Sequence, residues 1–169
     1  MRIDTLITDA RIASMVPGET PYGVIEDGAI AIFGDTIAWV GQRRDAPIAF
    51  DRVHSVHGRW ITPALIDCHT HLVFAGDRSD EYERRLAGET YADIAKSGGG
   101  IARTVEATRQ SNSAQLAAAA LRRLEALAEE GVGTVEIKSG YGLTFESELT
   151  MLKAARGAGI ASGMRVSPT

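Results

Sequence analysis

The 169-residue sequence has one cysteine, no apolar run long enough for a membrane span and no excess of basic residues. A lone thiol cannot form an intrachain disulfide, so a bridged scaffold is excluded and a reducing compartment, the cytoplasm, is the expected location. A bilayer-crossing helix needs roughly 18 or more consecutive apolar residues, and none is present. Met1-Arg2-Ile3-Asp4 puts an acid where a secretory leader carries its apolar block. Lys and Arg number 18 against 22 Asp and Glu, a net charge of −4. Neither a nucleic acid nor an anionic membrane is therefore expected as a partner. Gly98-Gly99-Gly100 matches neither a phosphate loop nor a dinucleotide fingerprint, and no Ser-His-Asp order or Cys-x-x-Cys can be assembled. With 44% hydrophobic and 24% charged residues, the chain has the composition of a folded α/β protein rather than a disordered one.

The texture changes near Pro63. Before it lie β-rich runs: Ile3 to Thr8, Ala29 to Phe33, Thr36 to Val40, Arg52 to His57 and Trp60 to Thr62. Gly34-Asp35 between two of them reads as a hairpin turn. Short strands with glycine-rich turns suggest part of a small β-sandwich over residues 1–62. After Pro63 comes a strand over 64–72, then a helical piece over 91–96 opened by the capping box Thr90-Tyr91-Ala92-Asp93. A helix over 101–109 is next. A long helix then runs from an N-cap at Ser113 to Glu130, its Leu116, Ala120, Leu124 and Leu127 on one face. Gly131 is the expected cap, 132–137 a strand, and 146–156 a helix stopped by Gly157 and Gly159. Strand and helix alternate as in a parallel sheet or barrel. Only two βα units fit before residue 169, with the chain stopping where a third strand should begin. A closed (β/α)8 barrel takes about 250 residues, so residues 63–169 are expected to be an incomplete one.

The chemistry concentrates in Asp67-Cys68-His69-Thr70-His71. Alternate residues of a strand share a face, so His69 and His71 project together and suit zinc, iron or a similar ion. Two ordinary histidines are the other reading, and two ligands alone do not complete a catalytic site. His54 and His57, three apart on a strand, fall on opposite faces and read as structural. Cys68 points away from His69 and reads as a small buried hydrophobe. Arg78 follows in the loop Gly76-Asp77-Arg78-Ser79, where an arginine can clamp a carboxylate or simply be solvated. Tyr141 occupies the corresponding loop after the second strand, where its hydroxyl can meet a substrate or cap the structure. Glu136 and Lys138 read as an ion pair.

Pro63-Ala64-Leu65-Ile66-Asp67-Cys68-His69-Thr70-His71 resembles the signature of the amidohydrolase superfamily, with Ala64 where glycine is usual. Three blocks narrow the resemblance to the imidazolonepropionase family: His69 through Glu81, Gly98-Gly99-Gly100-Ile101, and Val135 through Leu143. The resemblance implies a metal-dependent TIM (β/α)8 barrel, here partial, preceded by strands of a small β-sandwich domain. It implies hydrolysis of 4-imidazolone-5-propanoate to N-formimidoyl-L-glutamate in histidine degradation, with one zinc or iron ion. It also implies His69 and His71 as metal ligands, Arg78 and Tyr141 as substrate contacts, and a homodimer for the complete enzyme. The family's further metal ligands, a histidine and an aspartate, come from later strands, so the chain alone is expected to be inactive. Another cyclic amidohydrolase or a deaminase of the superfamily, or a non-enzymatic truncated product, remain as alternatives.

Overall fold

The computed structural model describes residues 2–169, which divide into two compact units, one ending at Pro63 and the other running from Ala64 to Thr169. In the first, β1 (Ile3–Ala13), β2 (Val24–Phe33), β3 (Thr36–Gln42), β4 (Phe50–Ser55) and β5 (Trp60–Ile61) form one sheet. Strand order is β3-β2-β1-β4, with β5 also on β1; β2 is antiparallel to β1 and β3, whereas β4 and β5 run parallel to β1. The β2–β3 hairpin turns at Gly34-Asp35, pairing Phe33 with Thr36. Alternation along β2 places Ala29 and Ala31 in one apolar cluster with Ile3 and Leu6, and Ile30 in another with Ala10 and Ile12. Strand β4 ends at Ser55, so His57 is not a strand residue opposite His54. It sits in a turn at φ 52°, its amide bonded to the Ser55 hydroxyl at 3.2 Å, a local alternative to the ladder.

The second unit holds β6 (Leu65–Thr70), β7 (Val132–Ile137) and β8 (Arg165–Pro168), three parallel strands in the order β6-β7-β8. Strand β8 is thus present as the third strand that was expected to be missing. Five helices accompany them: α1 (Ser79–Leu86), α2 (Tyr91–Lys96), α3 (Ile101–Gln110), α4 (Ser113–Glu129) and α5 (Phe145–Ser162). Helix α2 starts as its sequence requires, the Thr90 hydroxyl accepting from the Asp93 amide. The cap of α4 is Asn112 rather than Ser113. Its Oδ1 accepts from the Gln115 amide at 3.0 Å while Gln115 Oε1 accepts from the Asn112 amide at 2.9 Å.

Val135 and Ile137 of β7 pack against Leu116, Ala120 and Leu124 of α4 and Met151, Ala154, Ala155 and Ala158 of α5. Each fully buried Leu, Ile or Met is worth about 1.5–3 kcal/mol of transfer free energy, so this layer fixes both helices on the sheet. It also carries α5 through Gly157 and Gly159 to Gly163, because the buried alanines offset a glycine penalty of about 1 kcal/mol each. Gly159 lies so close to β8 that a Cβ there would meet Val166 at 2.8 Å. Gly163, left-handed at φ 73°, ends the helix and turns the chain into β8.

Candidate functional site

The C-terminal end of β6 carries the paired histidines. The ladder slips between Asp67 and Thr70, and the Asp67 carboxylate accepts the His69 amide at 3.0 Å. The imidazoles of His69 and His71 stand with centroids 5.6 Å apart, tilted by 59°. A metal–nitrogen distance of about 2.0–2.1 Å puts each ring centroid roughly 3 Å from an ion, and two ligating rings roughly 5 Å apart. The pair fits one divalent ion on that measure. Nδ1 of His71 is buried without a hydrogen-bond partner, a state that costs about 1–3 kcal/mol unless something outside the chain relieves it. Among the described residues no group of three or more His, Cys, Asp or Glu side chains is placed to hold a metal ion.

The rings continue inward. Tyr141 sets its edge against His71 at 5.6 Å and against Phe74 at 5.8 Å. Gly140 makes that approach possible: a Cβ there would lie 3.0 Å from His71 Cε1, and its φ of 145° suits glycine. The loop is held from below by Glu148, whose Oε1 accepts from the amides of Gly142 at 2.9 Å and Leu143 at 2.7 Å. Burial pushes this carboxyl up, but the amides of Leu143, Gly142 and Gly140 and the Ser139 hydroxyl together hold it below the usual range.

Beside Tyr141 opens a cleft of about 540 Å³ lined by Phe74, Gly76, Asp77, Arg78, Thr104, Arg123 and Tyr141. Arg78 and Tyr141 therefore line one cleft, and Tyr141 links it to His71. Arg78 caps the start of α1, a helix the sequence reading leaves unassigned although acids open it and arginines close it. Its Nε donates to Glu81 Oε2 at 2.9 Å. Burial pushes the Glu81 carboxyl up, yet the Gly100 amide, Arg78 and Arg103 hold it below its usual value. Asp77 is also held low, chiefly by the Ser79 amide.

Arg123 is a wall residue that sequence reasoning misses. Its guanidinium lies 3.6 Å over the Phe74 ring and donates to the carbonyls of Leu72 at 2.7 Å and Phe74 at 3.0 Å, so it fixes the segment after His71. Burial lowers its pKa. Nothing in the spacing of α4 separates it from a surface arginine. Cys68 is exposed rather than buried, as are Leu65, Ile66 and His69, because β6 pairs on one edge only among the described residues. Glu136 and Lys138 do form an ion pair, 2.6 Å long. No helix among the described residues is long and apolar enough to cross a membrane.

No family model matches the chain. Curated relatives do. A protein of Maricaulis maris named imidazolonepropionase is 63% identical over 169 residues, all of this chain and 42% of the relative. One of Caulobacter vibrioides with the same name is 55% identical over 158 residues, 92% of this chain and 39% of the relative. The chain thus spans about two fifths of the length of the curated relatives it matches. Among solved structures, a triazine hydrolase from Arthobacter aurescens superposes with a TM-score of 0.70 at 22% identity, covering 100% of this chain and 35% of that one. A variant of an atrazine chlorohydrolase solved with zinc and atraton gives 0.55 at 20% identity, over 98% of this chain and 35% of that one. At that identity the likeness establishes the mixed α/β fold and no more.

Proposed function

The chain matches the N-terminal portion of the imidazolonepropionases over its whole length, and from that premise we propose that it supplies part of the active site of such a hydrolase. The reaction opens the C–N bond of the cyclic amide 4-imidazolone-5-propanoate by adding water, giving N-formimidoyl-L-glutamate. The observation that carries the reading is the shared cleft: Arg78 and Tyr141 both line it, with Tyr141 edge-on to the His71 ring.

In this reading β6, β7 and β8 are the first staves of a metal-dependent (β/α)8 barrel, and residues 1–62 contribute strands of a small β-sandwich. Arg78 pairs with the substrate's propionate, a carboxylate that a guanidinium fork meets bidentately, and so sets the ring's register. Tyr141 offers its hydroxyl to the ring, and Arg123 keeps Phe74 and the preceding loop in place. His69 and His71 hold one divalent ion, zinc or iron, which when bound supplies Lewis acidity toward the ring carbonyl and lowers the pKa of water. The remaining ligands and the proton-transferring groups lie outside these 169 residues, so the chain alone is inactive. A cytoplasmic small-molecule enzyme, homodimeric when complete, is the setting proposed.

A chimera tests this reading. These 169 residues replace the matching segment of the Maricaulis maris relative. The chimera is assayed with 4-imidazolone-5-propanoate, the corresponding imidazolone without the propionate, guanine and cytosine. Preference for the propionate-bearing ring by roughly two orders of magnitude in kcat/KM is expected, the scale of a lost charged anchor. Equal turnover of the truncated ring, or preference for a nucleobase, would overturn it in favour of another amidohydrolase or deaminase.

A further inference from the structure

Glu81 is one of few buried polar side chains among the described residues, 4% exposed, and the reaction as outlined gives it no part. Both its oxygens are engaged. Oε2 accepts from Arg78 Nε at 2.9 Å, and Oε1 accepts from the Gly100 amide at 2.9 Å with Arg103 Nη1 3.9 Å away. Arg103 is otherwise committed to both oxygens of Asp80 at 2.8 Å. The three-glycine turn is shaped to receive this carboxylate. A Cβ on Gly99 would lie 2.9 Å from Glu81 Oε1 and 2.7 Å from Ile94 Cγ2, and Gly100 has a φ of +76°. The Gly98-Gly99-Gly100 motif, which cradles no phosphate, thus has an anionic occupant supplied by the chain itself.

A buried carboxylate costs several kcal/mol unless it is paired and hydrogen-bonded, so its partners are fixed as firmly as it is. For Arg78 the consequence is directional. Its Nε edge is tied, while its Nη groups have no protein hydrogen bond among the described residues, and the residue lines the cleft. A guanidinium so anchored loses less freedom when its free edge meets a ligand. We propose that Glu81, seated on the Gly99-Gly100 turn, is a positioning residue that holds Arg78 with its Nη edge ready for a carboxylate-bearing substrate. This rests on the assignment of Arg78 as the propionate contact and adds the element that orients it.

The test uses the chimera with the Maricaulis maris relative, labelled with ¹⁵N-arginine. The probe is 3-(imidazol-4-yl)propanoate, with its neutral amide as control, titrated by NMR. The chimera binds the acid more tightly than the amide. Glu81→Gln, which sets an NH2 against one of two N–H donors, raises the Kd of the acid by about tenfold and leaves that of the amide unmoved. It also abolishes the slow-exchanging Nε–H signal of Arg78. In an Arg78→Met background, Glu81→Gln adds nothing to the loss, an outcome that a general structural effect does not produce. If Glu81→Gln fails to fold, Glu81→Asp, which keeps the charge but shortens the reach, carries the comparison with a smaller rise. Failure of the chimera to prefer the acid, or an Arg78→Met variant that binds the acid as well as the unsubstituted chimera, overturns the assignment of Arg78 itself. An Arg78→Met variant that loses the acid, beside Glu81→Gln or Glu81→Asp variants that keep it, overturns the positioning role alone.

Discussion

Glu81 shows how a single residue couples stability to acid. Its folded pKa is depressed below the ordinary value of 4.5, burial being outweighed by the Gly100 amide and two arginines. A depressed carboxyl contributes stability that is present above the unfolded pKa and lost as pH falls through the folded one. The melting temperature of wild type should therefore exceed that of Glu81→Gln near neutrality, and the gap should close as pH falls below 4.5. A gap constant down to roughly pH 3 would contradict this, because linkage requires it to shrink. His69 and His71 were legible as a candidate pair from their alternate spacing on a strand, whereas residue type and position left Arg78 and Tyr141 open and only the family resemblance implied their substrate roles. Glu81 and Arg123 were not legible. Arg78 and Glu81 do have the i, i+3 spacing of a helical pair, but only with α1 assigned does that spacing carry meaning. Arg123 acquires its role from a contact 49 residues away, which no local pattern encodes.

At the scale of elements, helices with one apolar face were readable, and glycine was misleading. The face of α4 follows from the steps between Leu116, Ala120 and Leu124, all buried. Gly157 and Gly159 looked like a stop, yet α5 continues to Ser162 because its alanines are packed. The two glycines differ in surroundings: a Cβ at 157 meets nothing within 4 Å, whereas one at 159 meets Val166 at 2.8 Å. Gly157→Ala should stabilise by about 0.5–1 kcal/mol through helix propensity and a stiffer unfolded chain. Gly159→Ala should destabilise by about 1–3 kcal/mol by overpacking the α5–β8 contact. Urea melts of the two variants check both signs, and stabilisation by Gly159→Ala would show that the helix and β8 can move apart freely. The missed strand β8 has a similar origin. Its four residues carry little pattern of their own, and their pairing with β7 is a tertiary fact.

For the whole molecule, each unit has its own apolar clusters, and the parallel sheet of the second is covered by α4 and α5 on one side. Leu65 and Ile66 of β6 remain 56% and 66% exposed, on a strand paired along one edge among the described residues. Parallel strands are ordinarily covered on both faces, and an open edge templates association. The isolated chain should self-associate in sedimentation at tens of micromolar, and Ile66→Lys should lower its average mass; a monomeric wild type would contradict this. The same exposed strand ends in the histidine pair and is followed by Arg78, which lines the cleft, so the proposed site depends on that arginine meeting the substrate's carboxylate. The most direct measurement is the kcat/KM of the chimera and of its Arg78→Met variant for 4-imidazolone-5-propanoate. A loss of roughly a hundredfold is expected, expressed mainly in KM as for any removed binding contact. An Arg78→Met variant with unchanged KM and kcat would contradict it.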